Sequence, residues 1–425
     1  MGFIPPQHLT DSLPYHWFVG IDWGSQTHQV CVLDRTRRCV AEREVHHDGL
    51  SLAQFATWLS ELSAGEPTQV AVAIEMPHGA MVEMLVEQGF AVFAINPKQL
   101  ARFRERHSVA GAKDDRRDAR VLADSLRTDL PSFRAVRLSA PELLVLRELS
   151  RAEESLLQDF RRTANRLRDH LHRFFPQMLQ LCPAADEAWL WDLLELAPTP
   201  AHAQLLSEKQ VHQVLKAYRL RRQQAPKVLT CLQAPALPVA PGVAEAAQAH
   251  CALLVPCLRV LAEQLRSCAQ QVNTLLSILT HPTAETGPSD VAIVQSLPGV
   301  GRKITTWLFA EAAVPLAERD YEALRTQSGV APVTRQSGKR RQVVMRRACN
   351  NHLRHALYHM ARVAMQCDAE FSSVYQALRA KGQRHGQALR NIADRILRIL
   401  IAMLRDRTLY NPAQRPFLAR AQMSR

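Results

Sequence analysis

The chain has 425 residues, 47% hydrophobic and 22% charged, the balance of a globular protein with material for two or three domains. No uninterrupted apolar run approaches about 20 residues, and the Pro-rich start (Pro5, Pro6, Pro14) has no apolar signal-peptide region, so no membrane span or secretion leader is expected. Nine scattered cysteines, never spaced C-x-x-C, argue for free thiols in a reducing compartment and against a zinc site. Charge is split unevenly along the chain. Residues 1–130 carry 13 Lys and Arg against 17 Asp and Glu, a net of −4, whereas residues 321–425 carry 20 against 5, a net of +15. An Arg-dominated segment of this kind predicts a polyanionic partner, nucleic acid foremost.

His16 to Asp22 reads as an apolar strand ending in an acid, with Gly24 and Ser25 as a turn. Strands at His28–Leu33 and Arg38–Val45 follow by hairpin connections. The apolar spacing of Leu50, Leu52, Phe55, Leu59 and Leu62 predicts a helix. Gln69 to Glu75 is a fourth strand, again closed by an acid. A helix over Ala80–Gln88, a fifth strand over Ala91–Ile95 and a helix opened by Pro97 complete the series. In the run Lys113-Asp114-Asp115-Arg116-Arg117-Asp118-Ala119, Asp115 and Asp118 sit three apart, on one face of a helix. Paired acids of this kind can hold a hard divalent cation when other carboxylates reach them. Each acid also has a plainer reading. Asp22 fits a turn, and Asp114, Asp115 and Asp118 fit a first helical turn favoured by the dipole.

Pro141 opens a long helix that keeps 3–4 spacing through Leu146, Leu149, Leu156, Phe160, Leu167, Leu171 and Phe174, and Pro176 ends it. Shorter helices are expected over 184–196 and 207–222, with a Pro-rich loop over 232–241. The a/d pattern Leu258, Leu261, Leu265, Cys268, Val272, Leu275, Leu279 predicts a second long helix. Two such long helices with narrow a/d seams favour a coiled-coil arm that spaces the ends and dimerises over the plainer internal bundle.

Leu297-Pro298-Gly299-Val300-Gly301-Arg302-Lys303 looks like a helix-hairpin-helix turn, which brings backbone N–H groups to a phosphate. Ser337 and Gly338 stand among Arg335, Lys339, Arg340 and Arg341. Cations there can hold a phosphate, although a serine in a basic loop is more often a hydrogen-bonding residue. Arg346, Arg347 and Arg354 precede and open an amphipathic helix running to Met365, and a last helix over 387–404 has a basic face.

The order of three hairpin strands followed by alternating helices and strands resembles the RNase H-like fold of RuvC-type nucleases and many transposases. The ordered set goes further: Gly20-Ile-Asp22, Ile74-Glu75, Lys113-x-Asp115-x-x-Asp118-Ala119, Leu297-Pro-Gly-Val-Gly301, Gly329-Val-Ala-Pro332 with Ser337-Gly338, and Arg347-x-x-Asn350-x-x-Leu353-Arg354. It resembles the DEDD transposases of the insertion-sequence one-ten family, relatives of Piv-type DNA invertases. Position 114 is Asp where that family more often has Thr, so three acids crowd one turn. The stretch after Gly338 lacks the glycine often seen before the Asn, and the middle is longer than in compact members.

The resemblance implies an α/β plus α protein: a RuvC/RNase H-like catalytic domain over 16–130, a helical coiled-coil arm over 140–282, a mostly helical C-terminal transposase domain over 288–408, and a flexible tail over 409–425. It implies a bacterial, cytoplasmic and nucleoid-associated transposase or site-specific recombinase that acts on donor and target DNA under the guidance of a non-coding bridge RNA, as a homo-oligomer (dimer or tetramer). Asp22, Glu75, Asp115 and Asp118 would bind Mg²⁺ or Mn²⁺. Ser337 would attack a DNA phosphate to give a covalent intermediate, in a site that two protomers could share. Gly299, Gly301, Arg302, Lys303, Arg335, Lys339, Arg340, Arg341, Arg346, Arg347 and Arg354 would contact nucleic acid. Two other readings stay open: a structure-selective nuclease of the Holliday-junction resolvase kind, with water as nucleophile, and a non-catalytic nucleic-acid-binding protein.

Overall fold

A computed structural model of the chain describes residues 14–107, 114–280, 287–338 and 340–412. Lys113, Lys339 and the tail from residue 413, all named in the sequence reading, lie outside the described residues, as does the side chain of Arg340. The chain forms two compact units, Met1–Ser139 and Ala140–Arg425.

The first unit is built on strands β1 (Trp17–Asp22), β2 (Thr27–Asp34), β3 (Cys39–His46), β4 (Val70–Ile74) and β5 (Ala91–Ala94). They pair in the order β3-β2-β1-β4-β5. The hairpin pairs are antiparallel, while β1–β4 and β4–β5 are parallel. This is the mixed α/β arrangement the element order predicted, with β1 and β4 side by side. Every residue of β4 is buried, as expected for a central parallel strand covered on both faces. Side chains alternate between the faces. Val19, Ile21, Val70, Val72 and Ile74 form a core with Phe55 and Leu59 of helix α1 (Gly49–Leu62) and Met81 and Leu85 of α2 (Ala80–Glu87). Phe18, Ala71 and Ala73 point the other way, against Leu100 of α3 (Pro97–His107) and Ala119, Leu122 and Leu126 of α4 (Asp115–Asp129).

The second unit is mostly helical. Helix α5 (Pro141–Phe174) is followed by α6 (Pro176–Leu181), α7 (Ala188–Leu196), α8 (Pro200–Ala203), α9 (Glu208–Ala217) and α10 (Ala225–Leu232), and then by α11 (Val243–Thr280). The sequence reading missed α6, α8 and α10, each short and opened by or beside a proline. It also began the second long helix fifteen residues late, because Pro256 lies inside it. Pro256 is exposed, so the carbonyl it fails to serve can take water instead.

The two long helices run antiparallel and share a hydrophobic core at each end. Leu167, Leu171 and Phe174 meet Cys251, Val255 and Leu258 with the short helices. Leu146 meets Val272 and Leu276 in the C-terminal core. By length and hydropathy alone α11 could cross a membrane. Here one of its stripes is packed in these cores, and Arg259, Glu263 and Arg266 of the same helix form ion pairs.

The C-terminal part adds α12 (Asp290–Gln295), α13 (Arg302–Glu311), α14 (Ala313–Ala317) and α15 (Tyr321–Gln327), then strands β6 (Val333–Ser337) and β7 (Arg340–Val344), then α16 (Asn351–Cys367), α17 (Ala369–Ala380) and α18 (His385–Asp406). The two strands form a separate antiparallel ribbon where the sequence suggested a loop. Thr and Val at positions 333, 334, 343 and 344 favour extended backbone. The ribbon was hard to foresee because its residues are mostly polar and exposed, without apolar alternation.

Candidate active site

Asp22 closes β1 and Glu75 directly follows β4. Ile21 pairs with Ile74 in the parallel ladder, so the two acids leave the same end of the sheet from adjacent strands. Helix α4 brings the next acids. A Cβ at Gly20 would lie 1.8 Å from the Ala119 carbonyl oxygen and 2.6 Å from the Ala123 nitrogen, so only glycine lets the α4 backbone rest on β1. Fixed at that height, Asp115 and Asp118 meet Asp22, and one carboxylate oxygen from each lies within 4.8 Å of the others. Glu75, half-buried, stands outside that three-acid cluster.

Asp114 has a different job. It is the N-cap of α4, and its carboxylate accepts from the Arg116 N–H at 3.3 Å. The three crowded acids are therefore separated by the helix start: one caps, and two face the sheet.

Asp118 is 1% exposed, and a buried carboxylate needs a partner. Arg104 of α3 supplies one, with Nε on Oδ1 and Nη2 on Oδ2, each at 2.5 Å. The sequence reading missed Arg104, which alternates with Arg102 and Arg106 in an unremarkable basic helix. On β2, one residue from the ladder partner of Asp22, His28 is fully buried, and its Nε2 lies 2.9 Å from His47 Nδ1. Its Nδ1 accepts from the Gly24 N–H, and the Trp23 ring leans on both histidines. Burial, and then His47, lower the His28 pKa.

Oxygen ligands from clustered carboxylates suit a hard cation such as Mg²⁺ or Mn²⁺, so the donor set fits the divalent ion the sequence implied. Two further groups of possible ligands, Cys31–Cys39–Glu42 and Cys182–Asp186–Glu187, mix thiol with carboxylate. Neither is the closed four-ligand set of a structural zinc.

In the second unit, Ser337 is the exposed last residue of β6 and pairs with Arg340, the first residue of β7. Arg335 and Arg341 are exposed on the same ribbon, as is Arg347 beyond it. Other cations of the sequence reading have partners within the protein. Arg302 forks Glu153 of α5, with Nη2 2.7 Å from Oε1. Arg346 donates to the Ala331 carbonyl, and Arg354 reaches back to the carbonyls of Arg346 and Arg347. Lys303 is exposed and lies over the Trp307 ring at 5.1 Å.

The glycines of the turn before α13 also part ways. A Cβ at Gly299 would come 2.5 Å from Val363 Cβ of α16, so Gly299 serves helix packing, while Gly301 faces open space at the α13 N-terminus. The Arg347-x-x-Asn350-x-x-Leu353-Arg354 spacing has a local explanation. Asn350 caps α16 by accepting from the N–H groups of His352 and Leu353, and donates to Glu311 at 2.7 Å. Leu353, 1% exposed, anchors the first turn in the core.

A family profile described as a transposase, of the DEDD type of IS110, matches residues 19–176, and one described as "Transposase IS116/IS110/IS902 family" matches residues 291–376. Together they span more than half of the chain. The chain belongs to the IS110 family of transposases. All four acids of the sequence reading fall in the first matched segment, and Ser337 in the second. Transposases of this kind are enzymes that cleave and rejoin DNA, and a divalent metal is typical of the DEDD type. Among relatives, the putative transposase y4uE of Sinorhizobium fredii is 46% identical over 212 residues; the match spans 50% of this chain and 59% of that protein. The mini-circle putative transposase for IS117 of Streptomyces coelicolor is 29% identical over 411 residues, 94% of this chain and 96% of the relative. An IS900 protein of Mycobacterium paratuberculosis is 26% identical over 93% of this chain and 97% of its own length.

Proposed function

We propose that this chain is the transposase of a bacterial insertion sequence, and that it cuts and rejoins donor and target DNA through a covalent serine–phosphate intermediate. The observation that carries the reading is the convergence of Asp22, Asp115 and Asp118 within 4.8 Å, at the end of β1 and the start of α4, in a chain of the IS110 family. Glu75, directly after β4 and level with Asp22 beyond the Ile21–Ile74 pair, is assigned as the fourth acid. Bound there, Mg²⁺ or Mn²⁺ would act as a Lewis acid on a phosphate oxygen and steady the charge of the transition state. Asp22, Asp115 and Asp118 would hold such a cation at the end of β1. Arg104 holds the Asp118 carboxylate in place through both of its oxygens.

Ser337 is assigned as the nucleophile. Its Oγ forms a bond to phosphorus as the bond from phosphorus to one strand end breaks. The hydroxyl proton leaves to solvent, and the departing strand oxygen is protonated. Attack by the hydroxyl of the new strand end reverses these changes and frees the serine. The ester retains the phosphodiester energy, so rejoining needs no external energy source. Arg335, Arg341 and Arg347 are exposed near Ser337 in the chain and suit phosphate contacts. A two-stranded ribbon fits the width of a DNA major groove. Guidance by a bridge RNA, and assembly into a dimer or tetramer through the long helices α5 and α11, complete the proposal.

The deciding experiment incubates purified protein and its RNA with donor DNA and Mg²⁺, then looks for protein–DNA adducts on a denaturing gel. Wild type should give an adduct and Ser337→Ala none. Undiminished cleavage by Ser337→Ala, without adduct, would transfer the reading to a water-using nuclease. RNase treatment that leaves recombination intact would remove the RNA from the proposal.

A further inference from the structure

The base of the Ser337 ribbon opens onto a cavity of about 220 Å³ between α16 and α18. Val330 stands just before the ribbon and Met345 just after it, and both line the cavity with Leu357 and Tyr358 of α16. Two arginines share it, Arg354 of α16 and Arg390 of α18, and no acid lines it among the described residues.

The two guanidiniums are not compensated as interior cations usually are. Arg354 spends its terminal nitrogens on the Arg346 and Arg347 carbonyls and on Asn351 Oδ1. Its Nε is buried with no hydrogen-bond partner. Arg390 is half-buried and has no hydrogen bond or ion pair among the described residues. Burial, and then the charge of Arg354, hold the Arg390 pKa below its ordinary value. Burying one cation beside another is unfavourable unless an anion joins them. The rest of the lining is mostly apolar, and Tyr358, one turn along α16 from Arg354, is 39% exposed. A phosphate group suits the arginine side, and a flat unstacked base suits the tyrosine side.

We infer that this cavity binds one unpaired nucleotide of a single strand, its phosphate on Arg354 and Arg390 and its base against Tyr358. The assignment rests on the nucleic-acid reading above and adds a subsite to it. Five ribbon residues at about 3.3 Å each separate the cavity from Ser337, roughly 16 Å, or about five base steps at 3.4 Å. The bound nucleotide would anchor the strand that the ribbon engages. The shared chemistry is a phosphodiester with a free base, so either a displaced DNA strand or a guide RNA could supply it.

The test uses the full chain and fluorescence anisotropy with labelled (dT)₁₂, (rU)₁₂ and a fully abasic twelve-unit deoxyribose-phosphate strand. Arg390→Gln should weaken (dT)₁₂ or (rU)₁₂ binding at least about tenfold, one charge-assisted contact at roughly 1.4 kcal/mol per decade. It should also make the slope of log K against log salt shallower by about 0.7. Tyr358→Ala should weaken the base-bearing strands about tenfold and leave the abasic strand unchanged. Whichever strand shows the larger Arg390→Gln effect identifies the source. Unchanged affinity and salt slope in Arg390→Gln would overturn the subsite, as would an equal Tyr358→Ala loss on the abasic strand. The thermal midpoint of Arg390→Gln should match or exceed wild type, because an uncompensated cation has been removed. A midpoint that falls together with binding would make Arg390 a packing residue and overturn the inference. Adduct formation by Ser337→Ala is scored separately, so loss of the serine reading and loss of the subsite are told apart.

Discussion

Arg104 is the most informative residue to change. Its guanidinium occupies both oxygens of Asp118 at 2.5 Å, while the carboxylates of Asp22 and Asp115 lie within 4.8 Å of Asp118. Replacing it with Ala leaves a carboxylate that is 1% exposed without its cation and beside two like charges. Breaking a buried pair in this way costs about 3–5 kcal/mol. Arg104 keeps 31% of its side chain exposed, so the lower end, about 3 kcal/mol, is the better figure. At about 1.4 kcal/mol per decade this is roughly two decades of protection. Amide hydrogen exchange by mass spectrometry on the full chain, reading the peptides of α4, should show that loss for Arg104→Ala without metal. Adding about 10 mM Mg²⁺ should recover more protection in the variant than in wild type, because the ion then needs no competition with a guanidinium and stabilises by mass action. Equal protection in the two metal-free proteins, or equal Mg²⁺ increments, would refute the idea that Arg104 substitutes for a cation in this cluster.

Gly20→Ala should lower stability by about 1–3 kcal/mol through overpacking, and should weaken Mg²⁺ binding measured by calorimetry by forcing α4 away from β1. Ser337→Ala should cut strand cleavage by at least about 10³-fold in a gel assay, yet change the thermal midpoint little, since Ser337 is exposed. The His28 pKa is lowered by burial and by His47, so below about pH 6.5 the unfolded chain takes up a proton before the folded one does. Stability should therefore be level above that pH, fall as pH drops through the window down to the folded pKa, and then flatten. His28→Asn should remove that step from melting curves recorded against pH. Asp22→Asn should abolish Mg²⁺-dependent cleavage and keep DNA affinity within a few fold, measured by anisotropy.

The sheet was legible because its signals are local and strong. Asp22 and Glu75 each close an apolar run, and the resemblance of the element order to the RNase H-like fold implied that those strands are neighbours. The placement of Asp115 and Asp118 on one helix face was equally readable. The choice between Asp114 and Asp115 was not, since it turns on where the first helical turn starts, a matter of one cap hydrogen bond. Arg104 was invisible for another reason. Its partner lies fourteen residues away on a different helix, and nothing in an Arg-rich helix marks which guanidinium turns inward. Arg302 reads as a phosphate ligand by composition, while its carboxylate partner, Glu153, comes from packing. Gly299 reads as a phosphate-binding glycine, but Val363 lies 64 positions further along the chain, where no turn motif could reveal it.

The ribbon that ends at Ser337 has one further implication. Two five-residue strands, largely solvent-exposed, are marginal by themselves, because an isolated hairpin has no core of its own. Ser337, the proposed nucleophile, is held in register only as firmly as its surroundings hold the ribbon. Docked nucleic acid would supply that restraint, so serine placement and substrate recognition become one event. With Ser337 as the proposed nucleophile, the arrangement would act as a safety catch: without docked nucleic acid the serine would be poorly aimed, and random nicking would be disfavoured by geometry alone.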